Sequence, residues 1–123
     1  MKAVDLKDYE AIAATLQDYV DGARSPSADQ MRKAFHPNAQ IFGHLGEHLL
    51  ADPIEALFGW HEENGPATEV VVQFSILDVS ETIAVVRVEA ENWTGHRFTD
   101  YLSMLKVDGQ WTVVNKIFHA HAD

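Results

Sequence analysis

The stretch from Asp100 to Phe118, DYLSMLKVDGQWTVVNKIF, constrains the fold more than any other part of the chain. Two apolar runs flank Asp108-Gly109, a dipeptide that accepts the positive backbone dihedrals of a tight type I′ turn, so the stretch reads as one hairpin. Strand alternation puts Phe98, Leu102 and Met104 on one face and Tyr101, Leu105 and Val107 on the other. Strands apolar on both faces need cover on both. This predicts helices over one face and a further sheet or a second subunit over the other.

A chain of 123 residues is one domain, long enough to bury a core without disulfides or a structural metal. Cysteine is absent, which removes thiol nucleophiles and thiolate metal sites. A formal net charge of -10 with no Lys/Arg cluster opposes binding to phosphate backbones and anionic lipid, so neither nucleic acid nor membrane is an expected partner. No apolar run reaches the length of a membrane span, and MKAVDLKDYE is too acidic and too interrupted for a signal peptide. The expected location is cytoplasmic.

From Asp5 to Val20, Leu6, Tyr9, Ile12, Ala13, Leu16, Tyr19 and Val20 recur at helical spacing, with Gly22 as a C-terminal stop. Ser27 and Gln30 form the Ser-x-x-Gln of a capping box, opening a short second helix that ends before Pro37. Asn38 to Phe42 reads as a strand, and GHLGEHLL as an irregular segment or a second short strand. Asp52-Pro53-Ile54-Glu55 starts a third helix that runs to about Glu63, with Ile54, Leu57, Phe58 and His61 on its apolar stripe. After Pro66 the turn signals Ser80-Glu81, Thr94-Gly95 and Asp108-Gly109 divide a β-branched region into four strands. Helices followed by a meander specify an α+β fold with helices on one face of an antiparallel sheet.

The order of elements, the FHPNA segment at Phe35 to Ala39, and above all the pattern DYLxxLKxDGxWxxVNKxF resemble the nuclear transport factor 2-like superfamily, and within it the branch called putative lumazine-binding. The resemblance covers Tyr9 to about Phe118. It implies a cone in which three N-terminal helices pack on a curved antiparallel sheet around an internal pocket, with frequent homodimerisation through the outer sheet face. The superfamily includes isomerases, dehydratases, polyketide cyclases and non-catalytic binding modules, so the fold does not assign the chemistry. The chain departs from the branch at Asn38, where an aspartate is more usual.

Register decides which residues share a face of the hairpin. With a two-residue Asp108-Gly109 turn, Asp100 lies opposite Ile117, Leu102 opposite Asn115 and Phe98 opposite His119. Asp100, Asn115 and His119 would then meet among apolar groups, a setting for proton transfer. With a bulged three-residue turn the register slips by one, and Asp100 is a structural ion pair with Lys116.

Tyr19 lies on the covered side of the first helix, where its hydroxyl either polarises a substrate carbonyl or merely reaches the surface. The isomerase and dehydratase members, which combine a helix tyrosine with sheet acids, favour the first role. His36, at the end of the second helix, is a candidate at the pocket mouth or a helix cap. Trp60 and Trp93 could lid a flat ligand, whereas Trp111 reads as core. Glu89 faces Asp100 if Thr94-Gly95 is a two-residue turn, although Arg87, Glu89 and Glu91 read better as a solvated face opposite Val86, Val88 and Ala90. His44 and His48, with Glu47 between them, and His119 with His121 form no complete metal-ligand spacing, so no metal and no cofactor are expected.

These readings converge on a small-molecule-binding domain whose conical pocket takes a largely apolar or aromatic ligand. Any catalysis would be cofactor-independent acid/base chemistry of isomerase, dehydratase or cyclase type. Asp100 would carry the proton, His119 or His36 would assist, and Tyr19 would polarise a carbonyl. Phe98, Leu102, Asn115, Trp60, Trp93 and His44 are the candidate substrate contacts. The alternative is a non-catalytic dimeric binding or scaffold module.

Overall fold

The chain is described by a computed structural model over residues 5–122. Helix α1 spans Leu6–Arg24 and starts at Asp5, whose side chain accepts a hydrogen bond from the Lys7 N–H at 2.9 Å. It buries Ile12, Leu16, Tyr19, Val20 and Ala23 along one side. Gly22 does not end the helix, as expected from sequence, but lies inside it. A Cβ at Gly22 would come within 2.3 Å of the Met31 backbone nitrogen, so the glycine is a contact between helices.

Helix α2 is a single turn, Asp29–Arg32. Ser27 Oγ accepts from the Asp29 N–H, but the Gln30 amide donates to Asp18, so the reciprocal half of the capping box does not form. Strand β1, Phe35–Leu45, begins earlier than expected and takes Phe35 and His36 out of the helix. Strand β2, His48–Pro53, resolves the GHLGEHLL ambiguity in favour of a strand and absorbs Asp52-Pro53. Helix α3, Glu55–Asn64, starts directly after it and buries Leu57, Phe58 and His61, with Ile54 just ahead of the helix.

Strands β3 (Val71–Ser80), β4 (Ile83–Trp93), β5 (His96–Val107) and β6 (Gln110–Ala120) form the expected meander, with the first turn at Glu81-Thr82, one residue beyond its expected place. The six strands make one sheet in the order β2-β1-β6-β5-β4-β3. Every pairing is antiparallel except β1 with β6, which is parallel, so the sheet is mixed rather than purely antiparallel.

The turns at Thr94-Gly95 and Asp108-Gly109 have positive φ at both residues, 48° and 86° in one and 50° and 79° in the other, as type I′ turns require. Each hairpin of the meander then slips register once: at Ile76/Asp78, Ala90/Trp93 and Ser103/Met104. An extra residue on one strand bends it and increases its twist, and three bulges in one meander curl the sheet around its covered face. That face meets α1 through Ile12, Leu16 and Tyr19 and carries Val86, Val88, Leu102, Met104 and Val113, all buried. The other face leaves Phe42, Val85, Tyr101 and Ile117 exposed. Among the described residues, no helix is long and apolar enough to cross a membrane.

Candidate functional site

The bulge in the last hairpin determines what lies inside the cone. Near the turn the pairs are Val107 with Gln110 and Met104 with Val113, as a two-residue turn dictates. Beyond the bulge, Ser103 pairs with Asn115, Leu102 with Lys116 and Asp100 with Phe118. Trp111 and Val113 therefore point inward, Val114 is the extra residue, and the inward phase resumes at Lys116 and Phe118. The turn is the one read from sequence. The register at Asp100 is the one the three-residue alternative would give, reached by a bulge in the strand.

Asp100 and Lys116 are consequently buried together, at 1% and 5% exposure. Lys116 Nζ donates to Asp100 Oδ2 at 2.7 Å and to the Tyr19 hydroxyl oxygen at 2.7 Å. The Tyr19 hydroxyl donates to Asp100 Oδ2 at 3.4 Å, long for an O–H···O bond and correspondingly weak. The ammonium lies 5.1 Å from the Tyr19 ring centroid and 5.9 Å from that of Trp93, within cation–π range. Burial, followed by the adjacent Asp100 carboxylate, raises the Tyr19 pKa well above its usual 10.0, so the hydroxyl keeps its proton throughout the neutral range. Two polar atoms of this region, Asp100 Oδ1 and Trp93 Nε1, are buried with no hydrogen-bond partner among the described residues.

This cluster forms the polar end of a cavity of about 180 Å³. Tyr19 and Lys116 line it directly, with Trp93, Phe98 and Phe118 from the sheet and Leu57 and Trp60 from α3. Leu45, His48 and Leu50 of the β1–β2 hairpin complete the wall. Asp100 lies behind Lys116 and Tyr19 rather than on the cavity surface. A cavity of roughly 150 Å³ lined by apolar side chains holds a benzene ring, so this one accommodates a ligand of about one ring.

The structure brings together Tyr19, Asp100, Trp60, Trp93 and Phe98 from the residues expected by sequence, and it leaves the others outside. His119 is exposed and meets His121 edge to face, because the bulge moves it to the outer face. Asn115 is turned to that face for the same reason, paired with Ser103 and Gln40. Phe98 pairs with Ala120 instead of His119. His36 lies on β1, where its Nδ1 accepts from the Asn38 N–H, and it is not part of the cavity wall. His44 is exposed opposite Leu49, while its neighbour His48 takes the place on the wall. Leu102 is fully buried in the core beneath α1. Glu89 pairs with Thr99, not Asp100, because the β4–β5 hairpin also carries a bulge, and it hydrogen-bonds Thr99 and Arg87 on the outer face. Lys116 reads from the sequence only as a neutralising partner of Asp100, and the structure puts it on the cavity wall.

A curved sheet wrapped around a helix and closed over an apolar cavity with a buried polar end defines the nuclear transport factor 2-like class. The comparisons agree. Residues 7–119 match the model of the family described as "Putative lumazine-binding", and the chain belongs to that family. It is similar to a solved nuclear transport factor 2-like protein of unknown function from Methylobacillus flagellatus KT, with 44% identity, 97% of this chain and 96% of that one covered, and a TM-score of 0.93. A second such protein, from Shewanella baltica OS155, is 34% identical over 99% of this chain and 100% of that one, with a TM-score of 0.91. The chain is also 29% identical to Aldolase FrzH of Cladobotryum sp over 121 residues, 98% of this chain and 97% of that protein.

Proposed function

We propose that the cavity binds a small, largely apolar or aromatic carbonyl compound and that the buried cluster performs acid/base chemistry on it. The single observation that carries this reading is Lys116 and Tyr19 on the wall of an otherwise apolar cavity, backed by Asp100. A carbonyl oxygen at that end would accept from the Lys116 ammonium or the Tyr19 hydroxyl, both preorganised and shielded from water. Negative charge developing on the oxygen, as in an enolate, would be stabilised by the same donors, and Asp100 would hold or return the proton. Burying an ion pair costs several kcal/mol per ion in desolvation, and a hydrophobic replacement of similar volume is often no less stable. A buried pair facing a cavity therefore points to use rather than stability alone. His119 and His36, both away from the cavity wall, have no part in this scheme. The likeness to a protein named an aldolase adds aldol chemistry to the isomerase, dehydratase and cyclase types.

Binding is tested by titrating acetophenone while following tryptophan fluorescence, since Trp60 and Trp93 both line the cavity. Saturable quenching weakened about tenfold in Lys116→Met or Tyr19→Phe is expected, the loss of one good hydrogen bond to a charged or buried donor. Equal affinity in all three proteins would remove the cluster from recognition. The chemistry is tested by the exchange of acetophenone methyl protons in D₂O. Exchange faster with the native protein than with Asp100→Asn supports proton transfer. Binding with exchange no faster than in buffer supports instead the non-catalytic binding module.

The second part of the proposal is a homodimer through the outer sheet face. Phe42, Ile117 and Tyr101 are exposed and lie side by side on β1, β6 and β5, paired in register, with Val85 on β4 nearby. A contiguous exposed apolar row of this kind marks an interaction surface, and a second copy of the chain presents the same row.

A further inference from the structure

We propose that Lys116 is a nucleophile that forms a covalent imine with the carbonyl carbon of a small aldehyde or ketone in the cavity. The inference rests on the carbonyl reading above and deepens it, turning Lys116 from a charge that polarises the substrate into an amine that bonds to it.

Three features of the site support the step. The amine is on the wall of a mostly apolar cavity, where water competes poorly and a desolvated lysine is most readily made nucleophilic. A proton acceptor touches it, since Asp100 Oδ2 is 2.7 Å from Nζ. A protonated hydroxyl touches it too, since the Tyr19 oxygen is also 2.7 Å away and burial keeps that group in its neutral form. Asp100 and Tyr19 take two of the three ammonium N–H donors, leaving one for a carbonyl oxygen in the cavity. By contrast, the salt bridge Lys106–Asp8 at 3.0 Å is partly exposed and does not line this cavity.

The step balances with these groups alone. Asp100 removes one proton from the ammonium, and the freed lone pair attacks the carbonyl carbon. The C–N bond forms as the C–O π pair moves to oxygen, which takes a proton from Tyr19 while Tyr19 regains one from the newly protonated Asp100, giving a carbinolamine and restoring the Asp100 carboxylate. A second N–H proton passes through Asp100 to the same oxygen, the C–O bond breaks, and water leaves with that electron pair. The product is an iminium that retains one N–H, so the starting ammonium and carbonyl become iminium and water with no net proton or electron change. The iminium withdraws electrons from its α carbon and allows loss of an α proton or cleavage of the adjacent carbon–carbon bond. The substrate class is thus a one-ring or similarly small aldehyde or ketone that reacts at the carbon next to its carbonyl.

Reductive trapping tests the inference. The native protein is incubated with equimolar benzaldehyde and cyanoborohydride at neutral pH, followed by intact mass and peptide mapping. The expected result is one benzyl group per chain, on the peptide containing Lys116, formed at least tenfold faster than on Lys7, Lys33 or Lys106. Lys116→Arg keeps a cation at the site but has no primary amine with which to form the imine. It should lose that adduct while keeping the native circular-dichroism spectrum. Labelling spread evenly over the lysines, or unchanged in Lys116→Arg, overturns the inference. Saturable acetophenone binding without any Lys116 adduct overturns the covalent step and leaves the carbonyl reading standing. Absence of both removes the two together.

Discussion

At the residue scale the proposed chemistry turns on three side chains contributed by α1, β5 and β6. Asp100 and Lys116 neutralise each other where neither could be left alone, so removing one partner leaves an uncompensated charge. Asp100→Asn should cost about 3 kcal/mol in urea unfolding, whereas the double variant Asp100→Asn with Lys116→Met should recover more than half of it. An additive double variant would show that the two side chains do not act as a pair. Tyr19 gives a pH signature of its own. Its folded-state pKa is raised above 10.0, so above that pH the unfolded chain releases a proton that the folded chain keeps. The folded form then binds more protons, and stability that is fully present below pH 10 falls as pH rises. Above pH 10 the stability of the native protein should decline more steeply than that of Tyr19→Phe, by about 1.4 kcal/mol per pH unit. Parallel slopes would contradict the assignment. Tyr19 and Asp100 were legible as candidates because a tyrosine on an apolar helix face and an aspartate in an apolar strand are anomalies that a sequence displays. Lys116 was not, since a lysine three residues beyond a buried valine looks outward by simple alternation, and only the bulge at Val114 turns it in.

At the scale of elements, strand positions were readable to within a few residues, and registers were not. Asp108-Gly109 and Thr94-Gly95 dictate their own turns through positive φ, and both turns form as expected. A bulge has no comparable signature. It is a matter of which side chains the curled sheet turns inward against α1, a property of packing that local spacing does not carry. The same limit accounts for β1: its parallel pairing with β6 links residues distant in sequence, and the long strand takes up a segment that reads locally as a helix end. The glycines show how an element can be misread. Gly22 reads as a stop because glycine commonly ends helices, yet it is the point where α2 rests on α1. Gly22→Ala should therefore destabilise by about 1–3 kcal/mol despite the better helix propensity of alanine, measured by chemical denaturation. A gain in stability would mean that α1 and α2 do not meet there. Gly43 is tight in a different way, with a Cβ 2.5 Å from the Phe118 ring, and Phe118 lines the cavity. Gly43→Ala should shift the ring and weaken acetophenone binding several-fold while leaving the unfolding midpoint less affected than Gly22→Ala does.

At the scale of the whole molecule, one sheet serves two purposes. Its concave face, roofed by the helices, holds the cavity, and its convex face leaves an apolar row uncovered. The expectation that a doubly apolar hairpin needs cover on both faces is met on one side by α1, and on the other it rests on the proposed homodimer. Sedimentation at micromolar concentration should report a dimer that becomes a monomer in Ile117→Lys with Tyr101→Lys. A native monomer, or a double variant that remains dimeric, would move the interface elsewhere. The most direct test of the central claim is a crystal structure with acetophenone bound. The expected result is the ring between Trp60 and Phe98 and the carbonyl oxygen about 3 Å from Lys116 Nζ or Tyr19 Oη. A ring bound outside the cavity, or one bound inside with its oxygen turned away from both donors, would contradict it.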